Sequence, residues 1–196
     1  MEQSMLVLVV GPSGAGKDTL LDAARRALAD DARFRFVRRE ITRPASAGGE
    51  QHLALDSSAF AARRDAGAYA LHWGAHGLGY GIAADIDGDL AAGRVVIASV
   101  SRTVIAGAAE RFPVRVLEIT APASVLAERL RERARESEAD IALRLARTVS
   151  LPAAIETIVI MNDGTPEQGA ARLVAALRAA AASAPSARTR RPASAG

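Results

Sequence analysis

Residues 6–21 read LVLVVGPSGAGKDTLL. Leu6 to Val10 are continuously apolar and rich in valine, which predicts a strand buried on both faces. Glycines at 11, 14 and 16 break the strand, and Lys17 opens a run with the spacing of an amphipathic helix. A glycine-rich turn between strand and helix turns successive backbone N–H groups inward as an anion nest, with the helix dipole aimed at the same point. The spacing is that of a nucleotide phosphate loop, G-x-x-x-x-G-K-[ST], in which the lysine reaches the terminal phosphates and the last hydroxyl sits on magnesium. Here that last position is Asp18. A bare carboxylate beside phosphate oxygens is repelled, so a cation has to stand between them, and magnesium accepts a carboxylate together with phosphate oxygens and water. Asp18 is therefore read as a metal ligand, directly or through water, with complementing the helix dipole as its alternative use.

The chain has 196 residues, enough for one α/β domain with small inserted lobes. It has no cysteine, which excludes disulfides and thiolate metal sites. The apolar run before the glycines is too short to span a bilayer and lacks the layout of a signal peptide, so a cytoplasmic protein with no membrane partner is expected. The pI of about 10.1 invites a nucleic-acid reading. Three of the 25 basic residues, however, lie in the acid-free final stretch, and the rest balance the 22 acids. The high pI follows from arginine, which stays charged above pH 12, so no nucleic-acid partner is indicated. One lysine stands against 24 arginines, and it is Lys17, where a compact charge between β- and γ-phosphates is needed.

Strands are predicted at 6–10, 34–41, 94–99, 114–120 and 157–161, and helices at 17–29, 82–92, 102–110, 122–133, 138–148 and 166–182. Thr165, Pro166 and Gln168 form an N-cap, a first-turn proline and a capping partner for the last helix. Strict alternation implies a parallel five-stranded sheet with helices on both faces. Residues 43–81 interrupt it as an inserted lobe, and 129–147 read as two helices joined by a charged turn. From 183 onward the Ala/Ser/Pro/Arg composition predicts a disordered basic tail after a domain spanning 1–182.

Phosphoryl transfer needs positioning and charge cancellation more than covalent help. An acceptor phosphate is already ionised near pH 7, so no general base is required. Arginine forks suit the remaining task of bringing two anions together. Arg133 and Arg144, in the charged double helix, could close over a moving phosphoryl group, although each arginine taken alone also fits a solvated helical face. Arg38, Arg39 and Arg43 are expected near one turn, with His72, His76 and Tyr80 following in YALHWGAHGLGYGI. The histidines show no metal-ligand spacing, which discounts zinc.

Together these residues resemble the guanylate kinase family of P-loop phosphotransferases, and within it more closely the ribose 1,5-bisphosphate phosphokinases. The likeness covers about residues 5–180 and rests on GPSGAGKD, ITRPA, GGEQH, LHWGAHGLGYGI and RLRERARESEADIALRLAR. It implies a P-loop kinase fold of nucleoside monophosphate kinase type, with an acceptor-binding lobe at about 42–81 and a lid at about 131–140. It implies ATP and Mg²⁺, held by Gly11, Pro12, Ser13, Gly14, Ala15, Gly16, Lys17, Asp18 and Thr19, with Asn162 near the ATP base. Lys17, Arg133 and Arg144 are the implied catalytic residues. Arg38, Arg39, Arg43, His52, His76, Tyr80, Ser99 and Ser101 are the acceptor-side candidates. The departures concern the acceptor: Leu71 stands where guanylate kinases read guanine with glutamate, and Ser99 and Ser101 replace an acidic pair. A site without those carboxylates leaves guanine N–H groups unpaired, which disfavours guanine while phosphate recognition survives. The expected partner is a small sugar bisphosphate. A nucleoside monophosphate kinase, a non-catalytic guanylate-kinase-like binding module and an RNA-associated protein using the tail are the alternatives.

Overall fold

The computed structural model describes residues 4–47, 51–132 and 151–182. The central sheet is built from β1 (Met5–Val10), β2 (Phe34–Phe36), β7 (Val95–Ser99), β8 (Val114–Thr120) and β9 (Thr157–Met161), in the order β2-β7-β1-β8-β9. Every neighbouring pair is parallel. β1 occupies the middle and is buried along its whole length, as its unbroken apolar run requires when both faces are covered.

The alternation of side chains along β1 divides the core in two. Met5, Val7 and Val9 join a cluster with Leu20 and Ala24 of α1 (Lys17–Ala27) and Leu173 and Leu177 of α6 (Pro166–Ala182). Leu6, Leu8 and Val10 face a second cluster that contains Trp73, Ile82, Ile86 and Ile105. That second face carries the inserted lobe, a four-stranded sheet of order β4-β3-β6-β5 made from β3 (Glu40–Ile41), β4 (Leu53–Ala54), β5 (Tyr69–Ala75) and β6 (Leu78–Ala83). Helix α2 (Ser57–Asp65) lies between β4 and β5 and is capped by Asp56, whose carboxylate accepts from Ala59 N–H at 2.7 Å. Helices α3 (Ile86–Ala91), α4 (Ile105–Arg111) and α5 (Ala123–Glu132) complete the described elements.

The reciprocal cap expected at the last helix is present: Gln168 N–H donates to Thr165 Oγ1 at 3.3 Å and Thr165 N–H to Gln168 Oε1 at 3.2 Å. Four expectations need correction. The strand expected at 34–41 is two strands in different sheets, because the chain leaves the central sheet after Phe36 and pairs again at Glu40 with the lobe. Arg38 and Arg39 thus precede β3 and Arg43 follows it, so the three do not share one turn. The helix expected from Ile82 starts at Ile86, since Ile82 still pairs with Leu71 across the β5–β6 hairpin. The segment from Arg102 opens as one 3-10 turn, Arg102–Val104, before α4 begins. The lid beyond its first two residues, the helix expected at 138–148 and the tail at 183–196 lie outside the described residues.

Candidate active site

The phosphate loop leaves β1 at the C-terminal edge of the sheet, where ligands of open α/β folds bind. Gly11, Gly14 and Gly16 all have positive φ. At Gly16 the reason is tertiary as well as local: a Cβ there would lie 2.6 Å from Asn162 Nδ2. Gly16 also offers no capping side chain, so the first N–H groups of α1 are left for a ligand. Ser13, Gly14, Gly16, Lys17, Asp18, Thr19 and Arg39 line a cavity of about 190 Å³. Lys17 Nζ donates to the carbonyls of Gly11 at 2.8 Å and Pro12 at 2.9 Å, which anchors the ammonium within the loop.

Asn162, expected near the adenine, is placed beneath the loop. Its backbone extends the β8–β9 pairing by donating to Thr120 O at 2.7 Å, and its Nδ2 donates to Ala15 O at 2.8 Å. The residue is 5% exposed, and Ala15 is fully buried. The amide thus satisfies a carbonyl of the loop that water cannot reach.

The half-exposed Asp18 sits at the mouth of the loop cavity, with its Oδ1 4.0 Å from Arg39 Nη2. Arg39 in turn stacks over the Tyr80 ring at 5.6 Å, and Tyr80 stacks on Trp73 at 5.4 Å with the planes 6° apart. Asp18 and Arg39 also belong to a second, narrower cleft of about 30 Å³, which includes Arg38, Gln51 and Ser99 and runs along α1 past Asp22 and Arg25. Ser99 reaches it because β7 pairs in register with β1, opposite Val9. The structure therefore brings Asp18, Arg38, Arg39 and Ser99 to one place, with Tyr80 behind Arg39.

Arg43 and His52 form a separate pair. Arg43 Nη2 donates to His52 Nδ1 at 3.4 Å, and His52 Nε2 lies 3.0 Å from Arg43 O. A carbonyl only accepts and a guanidinium only donates, so the imidazole bridges the two with Nε2 towards the carbonyl and Nδ1 towards the fork. His76 stands exposed at the tip of the β5–β6 hairpin with φ 52°, and Ser101 caps the 3-10 turn by accepting from Thr103 N–H. Arg133 and Arg144 lie outside the described residues. Among the described residues no cluster of three metal-ligating side chains occurs, and no helix is long and apolar enough to cross a membrane.

Sequence reasoning passed over Gln51, Asp22 and Arg25, although Gln51 lies in the GGEQH stretch that carries part of the resemblance. It also missed the tie that holds the lobe together. Glu40, 7% exposed, accepts from Arg63 Nε at 2.8 Å, Arg63 Nη2 at 2.9 Å and Tyr69 OH at 2.7 Å, joining β3, α2 and β5. Burial, helped by the bond to Glu40, pushes the Tyr69 phenol up to about 12. An Arg102–Glu118 ion pair similarly links the 3-10 turn after β7 to β8.

No protein-family model matches the chain. Ribose 1,5-bisphosphate phosphokinase PhnN of Methylobacterium radiotolerans is 51% identical over 175 residues, covering 89% of this chain and 97% of that protein. Its namesake in Brucella melitensis is 50% identical over 165 residues, covering 84% and 85%. The chain belongs to the ribose 1,5-bisphosphate phosphokinase family. The chain also matches a bifunctional ribose 1,5-bisphosphokinase-thymidine phosphorylase of Azorhizobium caulinodans, 50% identical over 90% of this chain but spanning 26% of that longer protein. Among solved structures, guanylate kinase from Anaplasma phagocytophilum superposes with a TM-score of 0.65 at 19% identity, covering 92% of this chain and 87% of that one. A gluconokinase from Sinorhizobium meliloti gives 0.52 at 17% identity, with 93% and 96% covered. These likenesses show that the chain has a P-loop kinase fold, and its relatives make it an enzyme of the kinase class.

Proposed function

We propose that the protein transfers the γ-phosphoryl group of ATP to the 1-phosphate of ribose 1,5-bisphosphate, giving 5-phospho-α-D-ribose 1-diphosphate, and that it serves phosphonate breakdown in the cytoplasm. The observation that carries this reading is the shared boundary between the loop cavity and the arginine-lined cleft, since Asp18 and Arg39 line both. A donor in the loop cavity and an acceptor reaching into the cleft meet at that boundary, where the transfer would occur. The relatives' names supply the acceptor.

The loop fits a nucleoside triphosphate because positive-φ glycines open its backbone N–H groups and Lys17 sits beside them. Lys17 neutralises the terminal phosphates, and the α1 N-terminus adds its dipole. Asp18 and the Thr19 hydroxyl, exposed in the same cavity, are a hard oxygen donor set of the kind magnesium takes alongside phosphate and water. Bound there, the ion would supply charge neutralisation across the β- and γ-phosphates. On the acceptor side, Arg43, with its fork steadied by His52, and Tyr80 are the residues for the reacting phosphate. His76 and Ser101 are retained for the acceptor only by resemblance. Arg133 and Arg144, by the same resemblance, cover the moving phosphoryl group. No base is needed, because the attacking oxygen belongs to a phosphate ester with a second pKa of about 6.

Phosphorus NMR of the protein with Mg·ATP and either ribose 1,5-bisphosphate or GMP tests the proposal. A new diphosphate at C1 of ribose with GMP inert is expected. GDP formation would replace the reading by a nucleoside monophosphate kinase, and transfer to neither acceptor would leave a binding module.

A further inference from the structure

Two groups in the narrow cleft have no internal use. Ser99 is 8% exposed, and its hydroxyl finds no hydrogen-bond partner among the described residues. A buried hydroxyl left this way costs stability unless a ligand completes it. Arg38 lines the same cleft and enters no ion pair or hydrogen bond among the described residues. The other charges there are matched: Asp22 stands 3.4 Å from Arg25, and Asp18 4.0 Å from Arg39. What remains over is one positive charge and one buried hydroxyl, the donor set for a phosphate.

Position decides which phosphate this is. The lining residues on α1 run from Asp18 to Arg25, two turns away from Lys17 and about 10 Å along the helix axis. Arg38, Ser99 and Gln51 line this cleft and not the loop cavity, so a phosphate they hold lies outside the donor site, across the Asp18–Arg39 boundary. We propose that Arg38 and Ser99, with Gln51 at the cleft, bind the second, non-reacting phosphate of the acceptor and so make the enzyme selective for a bisphosphate over a monophosphate. The proposal rests on the sugar-bisphosphate reading above. It also explains the lost acidic position at Ser99: a carboxylate there would repel the second phosphate.

The test compares kcat/KM for ribose 1,5-bisphosphate and ribose 1-phosphate in the full chain, in Arg38→Ala, Arg38→Lys and Ser99→Ala. The preference of wild type for the bisphosphate should fall about tenfold to a hundredfold in Arg38→Ala, less in Arg38→Lys, and several-fold in Ser99→Ala. Inhibition by ribose 5-phosphate, which carries only the second phosphate, should weaken in the same order. If the variants keep the wild-type preference, or lose activity on both acceptors equally, Arg38 and Ser99 do not read the second phosphate. If wild type makes no diphosphate from the bisphosphate, the functional reading itself fails, and this inference with it. Circular dichroism melts of each variant separate these results from unfolding.

Discussion

Replacing Asn162 tests whether the phosphate loop is held from below. Its Nδ2 is the donor that Ala15 O accepts at 2.8 Å, and both residues are buried. Asn162→Ala removes the donor and leaves that carbonyl without water or partner, at a cost of about 1–3 kcal/mol. At about 1.4 kcal/mol per decade, this is a roughly fivefold to 150-fold shift in the unfolding equilibrium. Asn162→Asp is the sharper variant: it keeps the shape, but an ionised carboxylate only accepts and would face the Ala15 carbonyl with like charge. It should cost at least as much as alanine. Urea unfolding at pH 7.5, followed by circular dichroism, gives the stability change. Steady-state kinetics should show the KM for ATP raised in both variants, because the loop amides lose their fixed geometry. If both variants unfold within about 0.5 kcal/mol of wild type with ATP kinetics intact, Asn162 is not a brace.

Gly16→Ala should abolish ATP binding, since its Cβ would meet Asn162 Nδ2 at 2.6 Å with φ at +82°; Gly88→Ala, in open space within α3, should instead stabilise by about 0.5–1 kcal/mol, and paired melting and nucleotide titrations check both. Burial and the bond to Glu40 push the Tyr69 phenol up to about 12, so its contribution is complete below pH 10 and lost as pH rises towards 12. Over urea unfolding from pH 9 to 11.5 wild type should lose roughly 2 kcal/mol more than Tyr69→Phe, and parallel curves would refute it. Asp18→Ser should change the magnesium concentration that half-activates turnover, and an unchanged titration would remove Asp18 from the metal site.

The part of the molecule legible in sequence is the part written in contiguous residues. The buried run at β1, the glycine spacing, Lys17 and the Thr165–Gln168 cap are each decided within one or two turns of chain, so periodicity and capping chemistry suffice. The central sheet followed for the same reason, because alternating strands and helices leave few ways to cover both faces. The misreadings fall where pairing is non-local. Nothing within 34–41 announces that its two halves join different sheets, and Ile82 looks helical until Leu71 is seen beside it.

The sequence alone thus determined the glycine-rich loop, the helix that follows it and the single lysine beside it, since an anion nest and its cation are local constructions. Tertiary structure alone decided what surrounds that nest. Asn162 meets Ala15 across 147 residues of chain, Ser99 reaches the cleft through its register with Val9, and Glu40 finds Arg63 and Tyr69 only once the lobe has formed. Burial and hydrogen-bond satisfaction are properties of the packed molecule, and they set which arginines find a carboxylate partner.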